Sequence, residues 1–275
     1  MIVFNDCYDE MVKLEDNSVD LIVTSPPYFD AIDYNNGVKY TYDEYLDWLV
    51  ERINEMQRII KPTGSIIFNI NDKCKGGFRL TYVFDLVAKV SKETKLKMYD
   101  RYIWQKTNTL PYQGKRLNDR IEFIIHWVKT KNLKANTEEI LQPYSENSLK
   151  RMKEGYTFST NQKVVDGIRQ TTEKKEIKPK KGTKPSTVFN FKNAGAIKNK
   201  GVKHPAPFHP DLPEFFIKWL TDEGDVVLDP FGGSFTTYKQ ATSMNRKSIA
   251  FEINEDYKIF SPINENNTET DGFWD

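Results

Sequence analysis

Seven short runs rich in β-branched and aromatic residues, at 2–5, 19–23, 65–70, 99–105, 120–128, 225–228 and 248–251, punctuate this sequence. Helical patterns separate most of them, and that alternation constrains the fold more than anything else in the chain. Strands joined by helices run parallel and must be covered on both faces. The polar link between 99–105 and 120–128 is too short for a crossover helix, so that pair is expected as an antiparallel hairpin with a long loop. The fold class is therefore α/β, an open seven-stranded and mostly parallel sheet with helices on both faces. Ligands in such folds bind beyond the carboxyl ends of the strands.

The helices announce themselves at their ends. Thr41-Tyr42-Asp43-Glu44 has the form of a capping box, with Thr41 as N-cap and Glu44 three residues on. It opens a helix whose inward positions are Leu46, Leu49, Val50, Ile53, Met56, Ile59 and Ile60, closed by Pro62 and Gly64. Further helices are expected at 7–15, with Met11 and Leu14 inward, and at 78–90, 213–220 and 236–244. Residues 29–39 read as a polar loop, and the Asn- and Glu-rich tail after Ser261 as frayed.

Two strand ends carry chemistry. The run 19–23 leads into Thr24-Ser25-Pro26-Pro27-Tyr28. Two prolines fix φ and remove two backbone donors, and the residue before a proline is pushed away from helix. The product is a stiff lip offering a hydroxyl, carbonyls and an aromatic face, suited to holding a planar amine. A proline-stiffened loop with a partly buried tyrosine explains the pentapeptide equally well when it is taken alone. The second end is Val226-Val227-Leu228-Asp229-Pro230-Phe231-Gly232-Gly233-Ser234, a strand, a glycine turn and a helix start. Gly232 and Gly233 allow close approach of a ligand, and the helix N-terminus favours an anion. About twenty residues on, Glu252 ends the next strand, a spacing that suits a carboxylate on two ribose hydroxyls. No Gly-Lys-Ser/Thr follows, so this is not a phosphate P-loop, and it is not GxGxxG.

The net charge of +1 conceals an asymmetry. Residues 131–203 hold 17 Lys and Arg against 7 Asp and Glu, a surplus of +10, so the rest of the chain carries −9. A basic block inserted in an acidic body suits a polyanion; its stretch at 173–184 also reads as a solvated lysine-rich loop. No run of about 18 apolar residues exists, which argues against a membrane span. The start of the chain lacks the pattern of a signal peptide. Cys7 and Cys74 are the only cysteines, so no disulfide framework or Cys-rich zinc site is expected, and a cytoplasmic location is. His126, His204 and His209 have no cysteine pairs beside them, and neither cysteine sits in a Pro-Cys loop, which excludes a zinc deaminase and a C5-cytosine mechanism.

The stretch Val227 to Thr237 resembles the S-adenosylmethionine motif of DNA amino-methyltransferases, and Thr24 to Tyr28 resembles their catalytic motif. Lys203-His204-Pro205-Ala206-Pro207-Phe208 is similar to the segment that closes over the methionine part of the cofactor. The order, catalytic motif first, resembles the permuted beta group of that family, and the likeness covers about residues 1–130 and 203–257. It implies a Rossmann-like methyltransferase fold with permuted motif order. It also implies a catalytic half at 1–130, a basic target-recognition region at 131–203, a cofactor half at 204–260 and a tail at 261–275. S-adenosylmethionine would be held by Asp6, Cys7, Thr24, Phe208, Asp229, Pro230, Phe231, Gly232, Gly233, Ser234 and Glu252. Of these, Glu252 would take the ribose and Asp6 the adenine side. The family usually has glycine where this chain has Phe235, a side chain that either narrows the methionine pocket or turns outward.

By the same resemblance Ser25, Pro26, Pro27 and Tyr28 are catalytic. An aromatic exocyclic amine is a poor nucleophile because its lone pair is shared with the ring. Hydrogen bonds from its N–H groups to Ser25 Oγ and the Pro26 carbonyl return that pair to nitrogen, while Tyr28 stacks on a base flipped from the duplex. In the family, serine at position 25 usually accompanies cytosine N4, and Asp or Asn accompanies adenine N6. N4-cytosine is expected, with N6-adenine as the alternative. Lys150, Arg151, Lys153, Lys163 and Arg169 are the expected DNA contacts. The loops 29–39 and 107–118 are candidates to fill the gap left by the flipped base. Double-stranded DNA is the expected partner, with a cognate restriction endonuclease beside it; no membrane or metal is expected, and monomer and homodimer stay open. Two other readings compete: methylation of a protein amide or RNA amine, and a nucleic-acid-binding protein that keeps the fold without methyl transfer, for which Phe235 alone speaks.

Overall fold

The computed structural model describes residues 1–29, 40–107, 115–153, 157–165, 168–176, 181–192, 197–199, 202–204 and 209–263, with 153–176, 197–199 and 202–204 by backbone alone. Along the chain run β1 (Ile2–Phe4), α1 (Cys7–Val12), β2 (Val19–Thr24), α2 (Tyr42–Ile59), β3 (Ile60–Ile70), β4 (Cys74–Lys75), β5 (Phe78–Arg79), α3 (Tyr82–Glu93), β6 (Lys97–Lys106) and β7 (Ile121–Val128). Then come α4 (Glu146–Lys153), β8 (Thr157–Val165), β9 (Ile168–Glu176), β10 (Val188–Phe191), β11 (Ile197–Asn199), β12 (Val202–His204), α5 (Asp211–Leu220), β13 (Val226–Asp229), α6 (Thr236–Ser243) and β14 (Lys247–Glu252).

The main sheet has the order β1-β14-β13-β2-β3-β7-β6-β10. From β1 to β3 every pairing is parallel; β7 lies antiparallel between β3 and β6, so the expected hairpin forms, and β10 is parallel to β6. The sheet thus has eight strands rather than seven. The additional strand, Val188–Phe191, comes from the end of the basic block, where Trp104 Nε1 donates to the Phe191 carbonyl at 3.1 Å and Phe189 packs against Tyr102 and Phe216. Residues Thr137–Ser186, which hold α4 and the β8–β9 hairpin, form a compact unit of their own.

Pleating sends alternate residues of the strands into two layers. On one face Ile22, Ile66, Phe68 and Ile70 meet α1, α2 and α3; on the other Leu21, Val23, Ile67 and Val227 meet α5 and α6. Both hydrogen bonds of the capping box are in place, the Glu44 N–H donating to the Thr41 hydroxyl and the Thr41 N–H to the Glu44 carboxylate, and every expected inward residue of α2 is buried. Full burial of side chains such as Leu49, Ile53 and Met56 is worth about 1.5–3 kcal/mol each, which fixes this helix to the sheet. The helix ends at Ile59, short of Pro62, because Ile60 is extended and already pairs with Val19. The helix expected at 78–90 begins only at Tyr82. Ahead of it Gly76 and Gly77, at φ +59° and +86°, turn a small β4–β5 hairpin that requires those two left-handed positions.

Candidate active site

The topology brings the carboxyl ends of β1, β14, β13, β2 and β3 to one edge. Because β7 and β6 reverse direction in turn, the start of β7 and the end of β6 lie there too. Every described residue singled out at the strand ends of the sequence sits on this edge. The strand order divides it: Asp6, Glu252 and Asp229 on one half, Ser25, Asn69, Glu122 and Lys106 on the other.

Where the halves meet, Thr24 Oγ1 donates to Asp229 Oδ1 at 2.6 Å, joining two motifs 205 residues apart. The Phe231 N–H donates to the same oxygen at 3.1 Å, and Thr237 Oγ1 donates to the Val23 carbonyl at 3.2 Å. Burial pushes the Asp229 carboxyl up to about 6, although the Thr24, Phe231 and Thr237 hydrogen bonds pull the other way. Glu252 is raised as well, chiefly by burial. It accepts from the Gly233 N–H at 2.7 Å and the Asn254 N–H at 2.8 Å, so it closes the glycine turn onto the end of β14. Ser234 is buried, its hydroxyl 3.0 Å from that of Thr236, and Pro230 is buried beside it.

Asp6 caps α1 by accepting from the Tyr8 N–H, and it receives both contacts from Arg52 Nη2, at 3.2 and 3.1 Å. The Arg52 guanidinium is buried 4.2 Å from the centre of the Trp48 ring, and Trp48 meets Phe231 at 5.8 Å. The carboxylate therefore sits on an aromatic wall held by a cation. Cys7, its neighbour, is packed in the core, where burial pushes its thiol up to about 12; it is no nucleophile at neutral pH.

On the other half, Ser25 Oγ donates to Tyr28 OH at 3.3 Å, and Tyr28 OH donates to Glu122 Oε2 at 2.7 Å. Asn69 Nδ2 reaches all three, Glu122 at 2.6 Å, Tyr28 at 3.0 Å and Ser25 at 3.5 Å. Lys106 pairs with the second oxygen of the buried Glu122. Burial first, then the Glu122 charge, holds the Tyr28 hydroxyl far above its ordinary range, so it stays a neutral donor. The Pro27 carbonyl accepts from Tyr45 OH at 2.9 Å, which pins the lip to α2. The Pro26 carbonyl has no hydrogen-bond partner among the described residues, and neither does the buried Asn69 Oδ1.

Sequence reading missed Asn69, Glu122, Lys106 and Arg52. Two of them left a trace. Glu122 is the one acid within the apolar strand 121–128, and Arg52 stands on the inward face of α2 between Leu49 and Ile53. A charge on a core-facing position is a paired charge. Among the expected DNA contacts, Lys150 and Arg151 lie exposed on α4. Lys163 and Arg169 fall on the β8–β9 hairpin, in adjacent pairs of its ladder, and Lys153 ends α4. Phe208 lies outside the described residues, as do Pro205 to Pro207 and most of the loops 29–39 and 107–118.

A parallel sheet with a glycine turn and buried carboxylates on one half of its edge, and a Ser-Pro-Pro-Tyr lip on the other, is that of a two-substrate methyltransferase. The family model described as DNA methylase of the N6/N4 type matches residues 19–261, and the chain belongs to that family. It is 28% identical to type II methyltransferase M.PvuII of Proteus hauseri over 271 residues, covering 92% of this chain and 79% of that one. It is 29% identical to the DNA adenine methyltransferase YhdJ of Escherichia coli K12 over 260 residues, 93% of this chain and 79% of that one. The structure of the cytosine-N4-specific PvuII DNA methyltransferase superposes with a TM-score of 0.71 at 22% identity, over 97% of this chain and 87% of that one. M1.HpyAVI, solved as a complex with S-adenosylmethionine, superposes at 0.58 and 21% identity, over 94% of each chain.

The methyl donor of this family is S-adenosylmethionine, and the residues present suit it. Two desolvated carboxylates, Asp229 and Glu252, flank the glycine turn, ready for a cationic amine and for hydroxyl donors. Burial of such carboxylates in their charged form opposes folding. In the folded chain Asp229 keeps its proton between about pH 4 and 6, whereas the unfolded chain releases it, so its contribution to stability falls as pH rises through that window. A change from 3.8 to about 6 corresponds to about 3 kcal/mol. Asp229→Asn should therefore unfold at higher urea than the parent at pH 7, and the advantage should disappear at pH 4. An equal difference at both pH values would show that the carboxyl does not titrate in this range.

Proposed function

We propose that this chain is a sequence-specific DNA methyltransferase that acts on the exocyclic N4 amine of cytosine, as the modifying member of a restriction–modification pair. The observation that supports methylation of an exocyclic amine is the direction of the Ser25 hydrogen bond; the choice of cytosine N4 follows the resemblance, in which a serine at this position usually accompanies that amine. The hydroxyl gives its hydrogen to Tyr28, which passes its own to Glu122. Ser25 Oγ, which otherwise receives only a long 3.5 Å contact from Asn69 Nδ2, is thereby left to accept, and the Pro26 carbonyl is a second acceptor beside it. A flipped amine presents two N–H donors to that pair.

When bound, S-adenosylmethionine supplies a methyl group on a positively charged sulfur, electrophilic enough that a modest nucleophile suffices. The protein's part is positioning and electronic. Ser25 and Pro26 draw the amine lone pair out of conjugation with the ring. Tyr28, its hydroxyl tethered to Glu122 and Asn69, is a fixed ring against which a base stacks for about 1–3 kcal/mol. The Thr24–Asp229 bond holds the lip in register with the glycine turn. Glu252 takes the ribose, Asp6 the adenine side, with Phe231 along the wall and Phe208 over the methionine end. Residues 131–203 are the target-recognition region, in which Lys150, Arg151, Lys153, Lys163 and Arg169 contact DNA.

Adenine N6 is the second reading, favoured by the likeness to YhdJ, and the lip itself does not discriminate, since both amines offer the same two donors. Methyl transfer from labelled S-adenosylmethionine to mixed-sequence plasmid DNA, followed by nucleoside mass spectrometry, decides. N4-methylcytosine is the expected product. N6-methyladenine would overturn the assignment from Ser25 and keep the mechanism.

A further inference from the structure

Leu117 and Phe78 are the two most exposed large apolar side chains among the described residues, at 93% and 78%. A lone exposed apolar residue needs no explanation, but these two stand on segments built onto each other. Phe78 follows the Gly76–Gly77 turn of the β4–β5 hairpin, and Arg116 donates to the Gly77 carbonyl. Arg79, on the same hairpin, pairs with Asp119 at 2.8 Å and with the buried Asp72 at the end of β3. Two apolar tips are thus held at a basic surface, on which Arg79, Arg116, Arg120 and Lys115 outnumber Asp119 and the buried Asp72. An open cleft of about 660 Å³ lies there, lined by the three arginines and Leu117. It adjoins the target half of the edge, because Ile121 at its rim precedes Glu122, which holds Tyr28.

We propose that this tip is a duplex-facing surface of the catalytic unit, and that Leu117 enters the base stack where the target base leaves it. The inference rests on the reading that the chain methylates duplex DNA. Guanidinium groups suit phosphates on either side of the vacated position. Apolar side chains flanked by cations are the chemistry of wedges that unstack base steps. Their placement beside the lip puts the wedge next to the base that must move. The basic unit Thr137–Ser186 is then not the sole contact with the duplex.

The test uses the full chain and two short duplexes carrying its mapped methylation site, one fully paired and one with an abasic site opposite the target base. An unpaired target costs less to extrude. Leu117→Ala should lower kcat/KM roughly tenfold or more on the paired duplex and by less than about threefold on the abasic one, with cofactor affinity unchanged. An equal loss on both duplexes, or no loss on either with Phe78→Ala added, would overturn the wedge. Independently of turnover, Lys115→Gln with Arg120→Gln should reduce the salt slope of duplex binding by about two; an unchanged slope would overturn the phosphate contacts. Failure of the parent protein to methylate either duplex would count instead against the functional reading on which the wedge depends.

Discussion

Ser25→Ala should lower kcat by about 100- to 1,000-fold, the cost of removing one preorganised hydrogen-bonding group from a transition state. It should leave cofactor affinity within about twofold, and stability within about 1 kcal/mol, as expected for loss of a weak neutral hydrogen bond. The stability claim follows from the distances. Ser25 Oγ stands 3.3 Å from Tyr28 OH and 3.5 Å from Asn69, at the outer limit of hydrogen bonding, whereas the tyrosine, asparagine and glutamate are joined at 2.6–3.0 Å without it. The contrast is Glu122→Ala, which leaves Lys106 without its buried partner and strands the Tyr28 and Asn69 donors. That change should cost about 3–5 kcal/mol, as breaking a buried ion pair does. Single-turnover methyl transfer and urea denaturation separate the two. If Ser25→Ala keeps its rate, the Pro26 carbonyl is acceptor enough and the hydroxyl is only a spacer.

Much of this arrangement was legible in the sequence because local rules and global fold agree in it. The capping box at Thr41 and the inward series from Leu46 to Ile59 are local statements, and they survive folding intact. Strand ends carrying Asp6, Ser25, Asp229 and Glu252 were readable because an open parallel sheet collects such ends at one edge. What could not be read is which ends become neighbours. The Thr24–Asp229 bond depends on β13 lying beside β2, and sequence order gives no hint of it. Glu122 escaped notice because its partners, Lys106, Asn69 and Tyr28, come from three other parts of the chain. The strand Val188–Phe191 is hidden by composition: its Val-Phe-Asn-Phe is a four-residue run inside a lysine-rich block, and its place beside β6, with Phe189 buried, depends on partners far away in the chain. At the β4–β5 hairpin two local signals compete, helical periodicity after Phe78 and the Gly76-Gly77 turn before it, and the turn prevails up to Arg79.

Phe235→Gly, the change toward the residue the family usually carries, should destabilise this chain rather than repair it. Phe235 is fully buried, meets Phe4 edge-on at 5.9 Å, and packs with Ala250, Tyr257 and Phe260. It has turned into the core, which removes the ground for treating it as a block to the cofactor. Its backbone is left-handed, at φ 59° and ψ 33°. That conformation costs a residue with a Cβ about 1–2 kcal/mol, whereas emptying a buried phenylalanine site costs about 3–5 kcal/mol. The cavity wins, so Phe235→Gly should lose about 1–4 kcal/mol, the difference of those two effects. Phe235→Ala keeps the strain and the cavity together, and should be the less stable of the two variants by about 1 kcal/mol, the reverse of the usual order of alanine and glycine. The ring also occupies the space over Gly232, where a Cβ would lie 3.0 and 3.1 Å from two of its carbons. Gly232→Ala should therefore be more costly in the parent than in Phe235→Gly, with a coupling of about 1 kcal/mol or more, as for residues in contact. Urea denaturation of the parent, the three single variants and the Gly232→Ala/Phe235→Gly double variant measures both. Additive losses would mean that the glycine turn and the phenylalanine are independent, and alanine outranking glycine at 235 would mean that the left-handed backbone carries no strain.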